Sequence, residues 1–379
     1  MDHAGRMNRL RSTLEEQDLD WLLVTHLPNV RYLCGFTGSA AALLVSGRGS
    51  ILFTDGRYRT QAKDETKAGS GHRGQGVKLV IARKSPALAA AEWLAAQRRR
   101  STPASIGIEA ESISAGMRDR LSSVLESAAN RRTGQGARRL RFAPDWVERS
   151  RMVKDAGEIL RIRRAVELGA GLFRIVRESV RPGVTEVEVA AAMEYQARCQ
   201  GAEGMSFPTI LASGTRSAIV HGRASSARIP RLGFVVCDFG VILAGYCSDR
   251  TRTVHVGRAP DAARRLYDAV LEAQQAAIEA VRPGATGAEV DGAARRVLRK
   301  RKLARYFTHS TGHGLGLEIH EAPRLASGQG LKLEPGMVVT IEPGVYVPGQ
   351  WGVRIEDVVL VTTSGCEVLS PTDKELVVI

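Results

Sequence analysis

Up to about residue 147 the chain alternates short apolar runs with longer amphipathic ones. Asp20-Trp21-Leu22-Leu23-Val24-Thr25 predicts a strand, and residues 40–45 and 50–54 flank the turn Ser46-Gly47-Arg48-Gly49 as in a hairpin. Residues 77–81 predict a further strand, and 86–98 an amphipathic helix. These elements imply an α/β domain with a mixed sheet. Residues 128–140, rich in Arg, Gly and Asn, read as a surface loop, and residues 143–155 as a linker.

The second half repeats itself. Arg181-Pro182-Gly183-Val184-Thr185-Glu186-Val187-Glu188-Val189 returns as Arg282-Pro283-Gly284-Ala285-Thr286-Gly287-Ala288-Glu289-Val290. A helical pattern precedes each copy, over 158–180 and 261–281, and Pro-Gly ends it. A threonine with glutamate three residues later (Thr185/Glu188, Thr286/Glu289) then predicts a capping box opening a second helix. Extended segments follow at 207–212 and 306–311, each leading into a strand pair. One supersecondary unit used twice predicts a domain with internal pseudo-two-fold symmetry.

Composition changes this picture little. At 379 residues, 44% apolar and 25% charged, the chain suits a soluble protein of two domains. No run approaches the ~20 apolar residues that span a membrane. The N-terminus lacks a signal-peptide apolar core, so a cytoplasmic protein is expected. Five scattered cysteines without a C-x-x-C pair argue against a disulfide framework or a cysteine zinc site. The net charge of +14 sits mostly on arginines in short clusters such as Arg98-Arg99-Arg100 and Arg299-Lys300-Arg301-Lys302. Aromatics make up 5% and none interleaves with these clusters, so nucleic-acid binding is not expected. The excess charge can still attract peptide carboxylates.

The chemistry lies in the repeated half. Val235-Val236-Cys237-Asp238-Phe239-Gly240 is an apolar strand with an acid inside it. Gly245-Tyr246-Cys247-Ser248-Asp249-Arg250-Thr251 is its expected hairpin partner. Val338-Val339-Thr340-Ile341-Glu342-Pro343-Gly344 and Val353-Arg354-Ile355-Glu356-Asp357-Val358-Val359 repeat the arrangement with glutamates. Between them, the glycines flanking His313 are expected to let the backbone approach a ligand or metal. An ionised carboxylate in an apolar strand costs several kcal/mol uncompensated, and four together also repel one another. Divalent cations resolve both problems. Oxygen ligands with one imidazole suit Mn²⁺, Co²⁺, Fe²⁺ or Zn²⁺, and four acids suit two ions roughly 3.5–4 Å apart.

The set Asp238, Asp249, His313, Glu342 and Glu356 resembles, in order, the metal ligands of the pita-bread metallopeptidases, peptidase family M24. These include methionine aminopeptidase, Xaa-Pro aminopeptidase and prolidase. Asn29-Val30-Arg31-Tyr32-Leu33-Cys34-Gly35-Phe36-Thr37-Gly38 and Phe53-Thr54-Asp55-Gly56-Arg57-Tyr58 resemble the N-terminal domain of the proline-specific branch. The resemblance implies an α+β protein. An α/β creatinase-like accessory domain over 1–147 precedes a pita-bread catalytic domain over 148–379. It also implies two divalent ions, Mn²⁺ being the first expectation, a homodimer, and proline-containing peptides as substrates.

Roles follow from that set. Asp249 and Glu356 would bridge the ions, with Asp238 completing one site and His313 and Glu342 the other. A metal-activated water would attack the peptide carbonyl, with Glu342 as general base. The resemblance assigns His221 to the proline pocket and His320 to substrate or intermediate. Arg354, alternating onto the face of Glu356, is expected to orient that carboxylate. Tyr346 is a candidate supporting or substrate-binding residue. Arg324 is a candidate clamp for a dipeptide carboxylate. No loop that closes the cleft is visible, which favours an Xaa-Pro aminopeptidase over an Xaa-Pro dipeptidase. A non-hydrolytic binding protein would show a gap in the ligand set, and none is present.

Overall fold

The computed structural model describes residues 1–68, 76–97, 105–130, 139–371 and 374–379. Arg98-Arg99-Arg100 and residues 131–138 of the expected loop lie outside these. The chain divides into two compact units, Met1–Arg151 and Met152–Ile379.

The first unit runs α1 (His3–Glu16), β1 (Trp21–Val24), α2 (Leu27–Cys34), β2 (Ala41–Ser46), β3 (Gly49–Asp55) and α3 (Arg59–Ala68). It continues β4 (Lys78–Ala82), α4 (Pro86–Ala96), β5 (Ser105–Glu109), α5 (Ala115–Asn130), β6 (Arg139–Ala143) and α6 (Trp146–Met152). Its six-stranded sheet has the order β4-β3-β2-β1-β5-β6. The expected hairpin pairs β2 with β3, β1 joins β2 antiparallel, and β4 on one side and β5 and β6 on the other add in parallel, so the sheet is mixed. α4 buries Ala87, Ala90, Ala91 and Leu94, the one-sided spacing of a helix laid on a sheet.

Two expectations are corrected here, the second only in part. The stretch read as a loop from 128 begins within α5 and ends within β6. The stretch read as a linker does hold the boundary between the two units, but it contains α6. Arg151 is buried and donates to Asn29 Oδ1 at 2.8 Å, while Glu148 Oε1 accepts from Asn29 Nδ2 at 2.6 Å. Val147 fills the apolar side.

The second unit opens with α7 (Ala156–Ser179), α8 (Glu186–Cys199), β7 (Gly204–Met205), β8 (Ile210–Ser213), β9 (Gly233–Phe239), β10 (Val241–Leu243), β11 (Tyr246–Cys247) and β12 (Arg250–Val256). The second copy has α9 (Asp261–Ala280), α10 (Gly287–Lys300), β13 (Gly312–Gly314), β14 (Glu321–Leu325), β15 (Val338–Ile341), β16 (Gly344–Tyr346), β17 (Gly352–Arg354), β18 (Asp357–Val361) and β19 (Cys366–Val368). Both capping boxes form, and a third, Asp155 with Glu158, opens α7. Gly183 and Gly284 take φ values of 88° and 81° in the equivalent Arg-Pro-Gly turns, a region open to glycine at little cost.

The two copies build two sheets, β12-β9-β8 and β14-β13-β15-β18-β19. One apolar cluster fills each half: Leu172, Val189, Val235 and Val254 in the first, Val270, Val290, Val339 and Val359 in the second. This is the expected α+β, pseudo-symmetric fold. The segment 306–311 is not extended as expected: a short 3-10 helix over Ala304–Tyr306 leads into irregular backbone. Arg295 of α10 takes up the Phe307 and His309 carbonyls, and among the described residues the segment meets the sheet only at Thr311, whose N donates to Leu325 O and whose O accepts from Glu342 N.

Candidate metal centre

Each acid owes its place to a strand or to the gap between two strands. Asp238 lies in β9 opposite Thr251 of β12. Asp249 falls between β11 and β12, Glu342 between β15 and β16, and Glu356 between β17 and β18. At such breaks tertiary contacts, rather than the pleat, set where a side chain aims. His313 is the centre of β13.

Ligand atoms of Asp238, Asp249 and Glu356 lie within 4.8 Å of one another, and all three residues are buried. His313 Nε2 stands 3.3 Å from Glu342 Oε1 and 3.7 Å from Asp249 Oδ2. His313 Nδ1 is 3.0 Å from Gly314 O, which can only accept, so Nδ1 carries a proton and Nε2 is turned to the acids.

The electrostatics are those of a site built for cations. Burial, then repulsion from Glu356 and Asp238, lifts Asp249 well above the usual carboxylate range. Burial and the charge of Glu342 do the same to Glu356. Asp238 is raised by burial in spite of Arg354. Burial would also raise Glu342, but the His313 hydrogen bond and the charges of His313, His309 and Arg354 outweigh it and hold the carboxyl low. Asp238 Oδ1, Asp249 Oδ1 and Glu356 Oε1 are buried and accept no hydrogen bond among the described residues. Orphaned buried acceptors are rare in native proteins, and three of them on carboxylates grouped this closely fit a cation.

Arg354 differs from its expected role. It donates from Nη2 to Asp238 Oδ2 at 2.5 Å and from Nε to Thr251 Oγ1 at 3.1 Å. Glu356 is held instead by Thr251, whose hydroxyl donates to Oε2 at 2.8 Å. β17 ends at Arg354 and β18 begins at Asp357, so this side chain reaches across to β9 rather than along its own strand. Tyr346 is absent from the cavity wall. Its hydroxyl accepts from Arg354 Nη1 at 2.5 Å and lies 3.0 Å from His309 Nε2, and burial pushes it up to about 12. The glycines beside His313 serve the fold: a Cβ on Gly312 would meet Thr340 O at 1.9 Å, and one on Gly314 would meet Ala322 O at 2.3 Å. They let neighbouring strands, not a ligand, come close.

A cavity of about 650 Å³ opens onto this centre. His221, His309, His313 and His320 face it, as do Arg223 and Arg324. The rings of His313 and His320 meet edge-on at 4.5 Å, and burial, then the charge of His313, lowers His320. His309 and Arg223 escaped the sequence reading. The available signal was position: His309 stands four residues before His313, and Arg223 two after His221.

Fold and site together define a metallopeptidase. Residues 161–363 match the model of metallopeptidase family M24, and residues 6–143 that of the creatinase/prolidase N-terminal domain. This chain belongs to metallopeptidase family M24. It is 34% identical to the Xaa-Pro dipeptidase of Pyrococcus horikoshii, over 98% of either chain. It superposes on the Xaa-Pro dipeptidase of Bacillus anthracis with a TM-score of 0.89 and 36% identity, covering 100% of both chains. An X-Pro aminopeptidase from Thermotoga maritima gives 0.85 and 33%, covering 99% of this chain and 100% of the other.

Proposed function

We propose that this protein is an Xaa-Pro dipeptidase, hydrolysing the bond before a C-terminal proline with two divalent ions, Mn²⁺ first. The observation that carries the reading is the close grouping of three buried carboxylates, each with an oxygen that accepts no hydrogen bond, with His313 and Glu342 beside Asp249 on the wall of a peptide-sized cavity. The similar proteins named above favour the dipeptidase over the aminopeptidase expected from sequence. Arg324 supports the same choice. It lies on the cavity wall with no carboxylate partner among the described residues, and a guanidinium suits the free carboxylate that only a dipeptide presents there.

Asp238, Asp249, His313, Glu342 and Glu356 would hold the ions. When bound, they supply Lewis-acid polarisation of the scissile carbonyl and bring the pKa of a water to about 7. The protein's own groups do the rest. Glu342, ionised and exposed to the cavity, takes the proton from the attacking water and returns it to the departing proline nitrogen. An amide nitrogen leaves as an amine only once it has gained a proton, so this delivery completes the step. His320, held neutral by its lowered pKa, offers an N–H to the developing oxyanion. His221 and His309 touch the peptide from two other sides of the cavity. Arg354 is a positioning residue that acts through Asp238.

Metal analysis with assays on Ala-Pro, Ala-Pro-Ala and Met-Ala-Ser tests this reading. Hydrolysis of Ala-Pro far ahead of the other two is expected, with divalent metal retained. Release of alanine from Ala-Pro-Ala at a comparable rate restores the aminopeptidase. Activity on Met-Ala-Ser alone defeats proline specificity.

A further inference from the structure

Two buried carboxylates outside the metal centre take no part in the chemistry above. Glu186 opens α8 with no exposure, and Asp291 in α10 is 1% exposed. Glu186 accepts from Ser213 N at 2.8 Å and Ser213 Oγ at 2.9 Å, where β8 ends. It also accepts from Ser225 N at 3.1 Å and Ser225 Oγ at 2.7 Å, and pairs with Arg216. One carboxylate thus clamps both ends of residues 213–225, the segment that carries His221 and Arg223 to the cavity.

The second half repeats the device with different parts. Asp291 Oδ1 accepts from Thr311 N at 3.2 Å and Thr311 Oγ1 at 2.8 Å, and Oδ2 accepts from Arg295 Nε at 2.7 Å. Arg295 then donates to Phe307 O at 3.0 Å and His309 O at 2.6 Å. The segment held this way carries His309. Glu186 follows its cap Thr185 directly, whereas Asp291 stands five residues after Thr286, so the two carboxylates are not equivalent positions of the repeat. What the two halves share is a helix side chain that holds a segment bearing a cavity histidine; His221 and His309 are not equivalent positions of the repeat either.

Burying a carboxylate is tolerated only when donors take up its lone pairs, and charge-assisted bonds are the strong ones. A surface segment pinned at both ends loses most of its conformational freedom before substrate arrives. We propose that Glu186 and the Asp291–Arg295 pair are positioning residues that pre-set His221 and His309 for the peptide, one latch in each half of the duplicated unit. This rests on the reading that those histidines touch substrate.

Glu186→Gln turns one accepting oxygen into a donor facing other donors. KM for Ala-Pro is expected to rise by about 10-fold, with kcat and bound metal changed less than about 2-fold. Placed in a His221→Ala background, the same change should add less than about 2-fold, because the latch acts through that histidine. Asp291→Asn with His309→Ala should behave alike. Ser225→Ala, which deletes the hydroxyl's bond to Glu186 and the one it accepts from Ala227 N, should raise KM in the same direction by a smaller factor. In hydrogen exchange on the whole protein, Glu186→Gln should speed exchange over residues 213–225 and leave β9 unchanged. Penalties that multiply in the double variant, metal loss at constant KM, or unaltered exchange over 213–225 would each overturn the latch. If the wild type cleaves no prolyl peptide, the proposed function falls, while the exchange measurement still decides the latch.

Discussion

The guanidinium of Arg354, at the end of β17, donates to the carboxylate of Asp238 in β9 at 2.5 Å and so ties the second half of the duplicated unit to the first. Both groups are buried, and burial works against each charge. Asp238 and Tyr346 nevertheless hold Arg354 well above its usual pKa.

Breaking that pair should cost more than the pair is worth. Arg354→Ala strands the Asp238 charge, and a loss of about 3–5 kcal/mol in metal-free stability is expected. Activity should fall at least about 10-fold, because Asp238 loses its orientation. Arg354→Lys should recover little, since one ammonium cannot serve Asp238, Thr251 and Tyr346 together. Denaturant melts and kcat/KM check both variants.

Metal removal should make stability fall as pH rises. Asp249 and Glu356 have folded pKa values above their ordinary 3.8 and 4.5, so the folded chain binds more protons than the unfolded one. Their contribution is fully present below those ordinary values and is lost as pH climbs through the raised ones. A chelated sample should therefore melt lower at pH 8 than at pH 5. Added Mn²⁺ should raise the melting temperature more at pH 8, where protons compete least for the carboxylates. A rise in chelated stability over that range counts against the clustered-acid site.

Arg324 should discriminate by the substrate's C-terminus. Arg324→Met is expected to raise KM for Ala-Pro by about 10- to 100-fold, the worth of a charged hydrogen bond, and to leave the amide Ala-Pro-NH₂ nearly unaffected. Equal losses on both substrates place Arg324 outside carboxylate recognition.

Lys154 Nζ lies 3.2 Å from Glu321 Oε2, with the two side chains 1% and 7% exposed. Glu321 Oε1 also accepts from Glu318 N at 3.1 Å, which steadies the segment leading to His320. Lys154→Met should destabilise by about 3 kcal/mol or more, and Lys154→Met with Glu321→Leu should regain much of that. Activity should stay low in both, as His320 loses its support. Thermal melts and kcat on the three proteins separate the two effects.

Much of the architecture could be read from local pattern. A capping box is an i, i+3 relation, so Thr185/Glu188 and Thr286/Glu289 were legible without any tertiary knowledge, and the repeat announced the two sheets. The acids stood out because charge inside an apolar strand is costly anywhere. α6 was missed because its polar residues are satisfied by Asn29, more than a hundred positions away. His309, Arg223 and the latches were missed for the same kind of reason.

The amino-acid order by itself determined most of the helices and strands, that those of the second half come as a duplicate, and which acids and histidine are candidates for the metal centre. Each of these is set by spacing along the chain and by the free energy of burying a given group. Only the tertiary structure decided which group each one meets: Arg354 with Asp238 rather than Glu356, Tyr346 beneath Arg354, Glu186 with both ends of the His221 segment. Those pairings depend on strand register and on where the two halves cross. Neither is encoded in any short stretch of sequence.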